Sequence, residues 1–378
     1  MTNRKKLGIY IHIPFCLRKC FYCDFCSFPY LDGELVEKYC YELCRRIKKK
    51  SNDCRGYTVD TVYFGGGTPT LLPINEFRKL VSALKESFDI EKNAEITVEC
   101  NPATADKAYF DELLSLGANR LSIGLQSANE NELSALGRVH GFDDFLIAFS
   151  DAREAGFKNI SVDLMYGIPE QTKQSFEYSI DKVLELKPEH ISSYGLKIEE
   201  NTAFAKTKDK LVLPNEDEEF LFYKILTDKL EKNGYHKYEI SNFSLKGFES
   251  KHNTRYWKGE EYIGFGVAAH SFFDGERYGN SRDIRSFIEG KDITAERRRL
   301  TEHEADEEYV MLRMRLASGI DTADFERRFG ESFTDRYPYV DLMLKEGFMQ
   351  ENDGYISFTD KGFFVSNYIL SEMLDLEG

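Results

Sequence analysis

No apolar run in the 378-residue chain approaches the ~20 residues that span a bilayer, so no transmembrane helix is expected. The opening Met1–Lys6 is basic, but it leads into a strand-like Leu7–Ile13 rather than the apolar core of a secretory signal. Positive charge is in short supply too: 50 Lys+Arg stand against 65 Asp+Glu, a net charge of −15. Such a chain is a poor partner for nucleic acid or an anionic membrane, both of which need a positive surface. Low-complexity linkers and long internal repeats are also missing. What is present is an ordinary globular balance, 42% hydrophobic and 30% charged. The length predicts one large domain and a smaller second one. Together these features predict a cytoplasmic protein, in which the eight cysteines are not structural disulfides.

From residue 7 to 196 short β-branched runs alternate with longer amphipathic stretches at the spacing of βα units. Strands are expected at Leu7–Ile13, Thr58–Phe64, Glu95–Cys100, Arg120–Gly124, Asn159–Met165 and His190–Leu196. Helices are expected at Glu34–Lys50, Ile74–Ser87, Ala105–Leu116, Phe142–Ala155 and Lys173–Glu185. Six such units predict an α/β fold with a parallel sheet, either doubly wound or a partly closed barrel. Residues from about 197 to 295 are more irregular and either extend the sheet or cover its open edge. The expected division is therefore 1–295 and 296–378. The tail reads as helices at Glu304–Leu316, Asp321–Phe329 and Asp335–Glu346, a turn at Asn352–Gly354, a strand at Tyr355–Phe358 and a helix from Asp360. That order suggests a winged helix. Residues 301–378 carry 7 Lys+Arg against 18 Asp+Glu, however, and a charge of −11 opposes DNA binding.

Four cysteines (Cys16, Cys20, Cys23 and Cys26) fall within eleven residues, directly after the first strand. Cys40, Cys44, Cys54 and Cys100 are scattered and read as small buried hydrophobes. Structural zinc takes four closed ligands, commonly as two separated pairs. Three thiolates on one short loop suit three irons of a 4Fe–4S cluster and leave the fourth iron open. The second strand runs into Gly65-Gly66-Gly67-Thr68-Pro69, where glycines allow close approach of backbone to a ligand. A phosphate loop would need a Gly-Lys-Ser/Thr run here, and no lysine is present. Glu99, Gln126 and Asp163 fall at or near the ends of the next three strands, where parallel barrels build their active sites. Polar groups in apolar strands are costly unless a partner or ligand satisfies them.

The run Cys16-x3-Cys20-x2-Cys23, preceded by Tyr10-Ile-His12-Ile-Pro14-Phe, resembles the cluster loop of the radical S-adenosylmethionine (SAM) enzymes related to oxygen-independent coproporphyrinogen III oxidase. The resemblance runs through nearly the whole chain. It implies a partial (β/α)6 TIM-like barrel, with a helical, winged-helix-like C-terminal domain of the kind found in that family. It further implies that Cys16, Cys20 and Cys23 bind one 4Fe–4S cluster. Tyr10, Tyr22, Gly66, Gly67, Thr68, Glu99, Gln126, Arg138 and Asp163 would line the SAM site, with Arg138 toward the cofactor's carboxylate and Asp163 toward its ribose.

Within the family, only fifteen residues precede Cys16, and Phe25 stands where the oxidase branch has a fourth cysteine. Both features resemble the heme-chaperone branch. So does His252-Asn-Thr-Arg-Tyr256-Trp257, which holds the only tryptophan in the chain and makes His252 the candidate heme residue. Read alone, that segment is a satisfied histidine beside a core aromatic pair sooner than a heme site; the resemblance is what turns the reading. Cys26 is a departure, and Gly264–Ser271 looks closer to the oxidase. The resemblance thus implies a heme-binding protein that passes heme to a client and takes electrons from a donor. The alternatives are oxidative decarboxylation of coproporphyrinogen III and radical modification of heme.

Overall fold

The computed structural model describes residues 4–30 and 32–374; the first three residues of the basic start lie outside them. Among the described residues no helix is long and apolar enough to cross a membrane. The chain divides into two units, one formed by residues up to 215 with 261–299, the other by 216–260 with residues from 300 onward. This differs from the expected 1–295 and 296–378 over residues 216–260, which pack with the C-terminal segment, and over 296–299, which belong to the first unit.

The first unit is built on six parallel strands, β1 (Lys5–Ile13), β2 (Tyr57–Gly66), β3 (Ile90–Cys100), β4 (Arg120–Gln126), β5 (Ile160–Tyr166) and β6 (His190–Gly195). They lie side by side in sequence order. A doubly wound sheet would reverse order at a switch point, so the winding is that of a barrel. The free side of β1 pairs with β7 (Tyr262–Phe265) rather than with β6, which leaves the barrel partial. Beyond β7 run β8 (His270–Phe273), β9 (Glu276–Asn280) and β10 (Thr294–Arg299), each antiparallel to its neighbour. The irregular segment therefore extends the sheet. Crossover helices at Gly33–Lys50, Ile74–Ser87, Lys107–Ser115, Phe142–Ala155 and Lys173–Leu186 separate the strands. In β1, Leu7, Ile9, Ile11 and Ile13 are fully buried on one face, and Gly8 and His12 are buried on the other, as expected of a parallel strand covered on both faces.

The second unit has helices at Glu216–Lys232, Lys251–Trp257 and Glu302–Arg313, followed by a small three-stranded sheet of 320–321, 355–358 and 349–352. Helices Thr322–Phe329 and Phe333–Arg336 pack around Phe325, whose ring meets those of Phe329, Phe333 and Tyr337, and helix Tyr339–Lys345 follows. The wing turn is a tight hairpin with Asp353 and Gly354 both at positive φ.

Candidate cofactor site

The C-terminal ends of β2 to β6, with the loop that follows β1, line one cavity of about 530 Å³ in the first unit, within the range of small-molecule sites. Its cysteine wall is a loop closed at its base. Phe15–Cys16 pairs in parallel with Phe28–Pro29, and Phe15 is fully buried with its ring edge-on to Tyr39. Arg18 ties the loop down by donating to the carbonyls of Gly137 at 2.9 Å and Arg138 at 2.6 Å. Cys16, Cys20 and Cys23 all face the cavity. Cys26 does not line it; its side chain is buried, and its carbonyl accepts from His12 Nε2 at 2.8 Å. Cys40, Cys54 and Cys100 are buried and Cys44 half-buried, each a free thiol.

Opposite the thiols, Gly66 sits at φ +113°, a backbone conformation that favours glycine. Its N–H donates to Glu99 Oε2 at 3.0 Å while Tyr63 Oη donates to Oε1 at 2.8 Å. A Cβ on Gly67 would stand 2.7 Å from the carbonyl oxygen of Phe15. Two chain segments can approach this closely only because residue 67 lacks a side chain. Thr68 Oγ1 lies 3.6 Å from Cys16 Sγ. Burial pushes the Glu99 carboxyl up to about 7, against the pull of the Tyr63 and Gly66 hydrogen bonds.

Arg138 reaches in from the loop after β4, donating to Gly124 O at 2.6 Å and lying 3.5 Å from Cys20 Sγ. Its Nε is buried without a hydrogen-bond partner. His140 lies beside that loop with Nδ1 3.2 Å from Asn101 Oδ1 and Nε2 3.3 Å from Leu125 O; burial holds its imidazole down to about 3, so it is neutral and donates to one of the two. Gln126 takes φ +75° at a register break between β4 and β5, the kind of strain that concentrates at functional sites. Asp163 accepts from Ser122 Oγ at 3.1 Å, and burial raises its carboxyl.

Eleven of the thirteen candidate residues thus line one cavity: the three cysteines, Tyr22, Gly66, Gly67, Thr68, Glu99, Gln126, Arg138 and Asp163. Tyr10 lies mid-strand, its hydroxyl 3.0 Å from His12 Nδ1, and is not among the lining residues. His252 belongs to the second unit, where it is buried with Nε2 2.7 Å from Tyr256 Oη. The Trp257 side chain donates to the buried Glu239 carboxylate, which burial pushes up to about 7. Ser122, Asn101, Met165 and Tyr194 also line the cavity, beyond the residues that the sequence points to. The usable signal is the two-residue alternation, which puts Ser122 and Gly124 on the face that leads to Gln126.

A 4Fe–4S cluster and SAM fit these residues. Among the described residues no three His, Cys, Asp or Glu side chains close around a single ion, and the loop thiols line a cavity with room for a larger group. The unpaired Arg138 Nε suits a carboxylate, while the Gly66–Gly67 cradle admits an amino acid moiety against the backbone.

Residues 10–183 match the radical SAM superfamily and residues 300–365 the HemN C-terminal domain. Two full-length relatives are the heme chaperone HemW of Bacillus subtilis, 36% identical over 97% of this chain and 98% of its own, and that of Escherichia coli, 33% identical over 99% and 100%. The structure of coproporphyrinogen III oxidase (HemN) from Escherichia coli superposes with a TM-score of 0.86 at 24% identity, covering 99% of this chain and 90% of that one. The chain belongs to the radical SAM superfamily and, within it, to the heme chaperone HemW family.

Proposed function

We propose that this protein is a heme chaperone, binding heme and passing it to a client protein in the cytoplasm. Chain-long likeness to heme chaperones, 36% identity over 97% of the sequence, carries the reading. In it, Cys16, Cys20 and Cys23 hold the 4Fe–4S cluster that family membership implies. Tyr22, Gly66, Gly67, Thr68, Glu99, Gln126, Arg138 and Asp163 hold SAM. Tyr10 acts one layer lower, by fixing the His12 ring that lies against Gly66. The bound cluster and SAM supply one-electron chemistry, and an electron-donor protein is the implied source of the electron. The residues of this chain that line the cavity would orient the cofactor and keep water from it.

His252 is the proposed heme ligand, since imidazole is a common axial partner of heme iron. Its Nε2 already meets the Tyr256 hydroxyl, so ligation through that nitrogen displaces this bond. The −11 charge of residues 301–378 sets the winged-helix-like segment aside from DNA.

The test is anaerobic. Cluster-loaded protein titrated with heme is expected to bind near one equivalent, and incubation with SAM, reductant and coproporphyrinogen III is expected to yield no protoporphyrinogen. Protoporphyrinogen without stable heme binding would replace the chaperone with the oxidase.

A further inference from the structure

Beneath Asp163 the barrel interior is unusually polar. Barrels of this kind are ordinarily filled by layers of branched apolar side chains, and an unsatisfied polar group there costs energy. Here Arg120, Ser122, Ser161, Ser192 and His190 are all buried. They occupy alternate positions on three neighbouring strands: 120 and 122 on β4, 161 on β5, 190 and 192 on β6. The register sets Ser161 beside Ser122 and His190, and Ser192 beside Asp163.

The side chains form a continuous hydrogen-bonded path. Ser122 Oγ lies 3.1 Å from Asp163 Oδ1, and the Ser192 side chain also bonds that carboxyl. Ser192 Oγ lies 3.3 Å from Ser161 Oγ, which lies 2.8 Å from His190 Nδ1. A carboxylate only accepts, and this fixes the direction of the path. Ser122 and Ser192 donate to Asp163, Ser161 donates to Ser192, and His190 donates from Nδ1 to Ser161. His190 is neutral, held down by burial and by Arg120, so it has one ring proton to give. Bonds aligned in one direction polarise each other, and the carboxylate at the cavity end has its orientation fixed from below.

We propose that Ser122, Ser192, Ser161 and His190 are positioning residues that fix the Asp163 carboxylate toward the two ribose hydroxyls of SAM. This rests on the placement of Asp163 in the SAM site proposed above. It adds a specificity role, because a carboxylate locked in one rotamer discriminates a ribose diol from ligands without one.

The test uses the cluster-loaded protein and two ligands, SAM and L-methionine, the second offering the amino acid part without ribose. Ser192→Ala is expected to weaken SAM about threefold to tenfold, the loss of one net hydrogen bond, and to leave methionine affinity unchanged. Ser161→Ala should act in the same direction but less. Ser192→Cys, similar in size and a weak donor, should fall between Ser192→Ala and the parent and serves if the alanine variant does not fold. Equal loss of SAM and methionine would overturn the proposal by marking the serines as packing alone. If Asp163→Ala weakens SAM while Ser192→Ala and Ser161→Ala do not, the positioning path fails and the site stands. Unchanged SAM affinity in Asp163→Ala would instead overturn the site placement itself.

Discussion

Cys26 and Cys23 are three residues apart and face different surroundings. Cys23 lines the cavity, whereas Cys26 is turned into the protein under a carbonyl that His12 grips. Cys20→Ala should therefore abolish the roughly four irons of one cluster, while Cys26→Ala should leave iron content nearly intact. Anaerobic iron and sulfide analysis of the two variants checks this, and equal loss in both would redraw the ligand set. Spacing makes the three cavity thiols legible because a short loop leaves their side chains little freedom. Depth is not legible. Alternation puts Tyr10 and His12 on one face of β1, but nothing local says that two residues down the strand is one layer below the cavity floor. The motif around His252 is readable as a pattern, yet the partners that satisfy it, Tyr256 Oη within the helix and Glu239 for Trp257, depend on packing. Since the Tyr256 hydroxyl competes for Nε2, Tyr256→Phe should bind heme at least as tightly as the parent. His252→Ala should weaken binding at least severalfold, both followed by the heme absorption band.

At the scale of elements, Ile74–Ser87 and Phe142–Ala155 fall where the apolar periodicity puts them, because long amphipathic stretches carry redundant signals. The expected helix Asp335–Glu346 instead breaks into Phe333–Arg336 and Tyr339–Lys345. Pro338 is the cause: it forces its predecessor out of the helical region, and Tyr337 takes φ −124°, ψ 77°. The strand Met349–Asn352 is not readable in advance because its hairpin partner, not its composition, makes it a strand. The glycine turn after β2 lines the cavity, and the structure adds what limits it. At Gly66 a Cβ would lie 2.5 Å from the His12 ring, with φ already at +113°. Gly66→Ala should therefore displace His12 or the turn itself. Backbone strain alone costs about 1–3 kcal/mol. A lower melting temperature together with weakened SAM binding is expected, and calorimetry with SAM titration measures both. By contrast a Cβ added at Gly33 would meet nothing within 4 Å, so Gly33→Ala should be nearly neutral.

For the molecule as a whole, local pattern does not identify which distant segments become neighbours. Residues 216–260 interrupt the first unit's chain before its last four strands, yet pack with residues from 300 onward. Hydrophobic periodicity marks which face of an element is buried, not which distant segment buries it. Each unit also contains a glutamate, Glu99 in the first and Glu239 in the second, whose carboxyl is pushed up to about 7 from an ordinary 4.5 by desolvation. Such a group binds its proton more tightly folded than unfolded. Its stabilising contribution is complete below about 4.5 and is lost as pH rises through about 7. The buried histidines His12, held down to about 4, and His140, to about 3, act in the opposite sense as pH rises toward 6.5. The total pH profile therefore mixes the two effects, and a comparison of variant with parent separates them. Glu99→Gln and Glu239→Gln mimic the protonated acid at every pH. Each should gain stability relative to the parent between pH 5 and 8, by up to about 3 kcal/mol at 1.36 kcal/mol per pKa unit. Denaturant titrations of the three proteins at pH 5, 6.5 and 8 measure this, and a constant difference across that range would show that neither carboxyl is held up by burial.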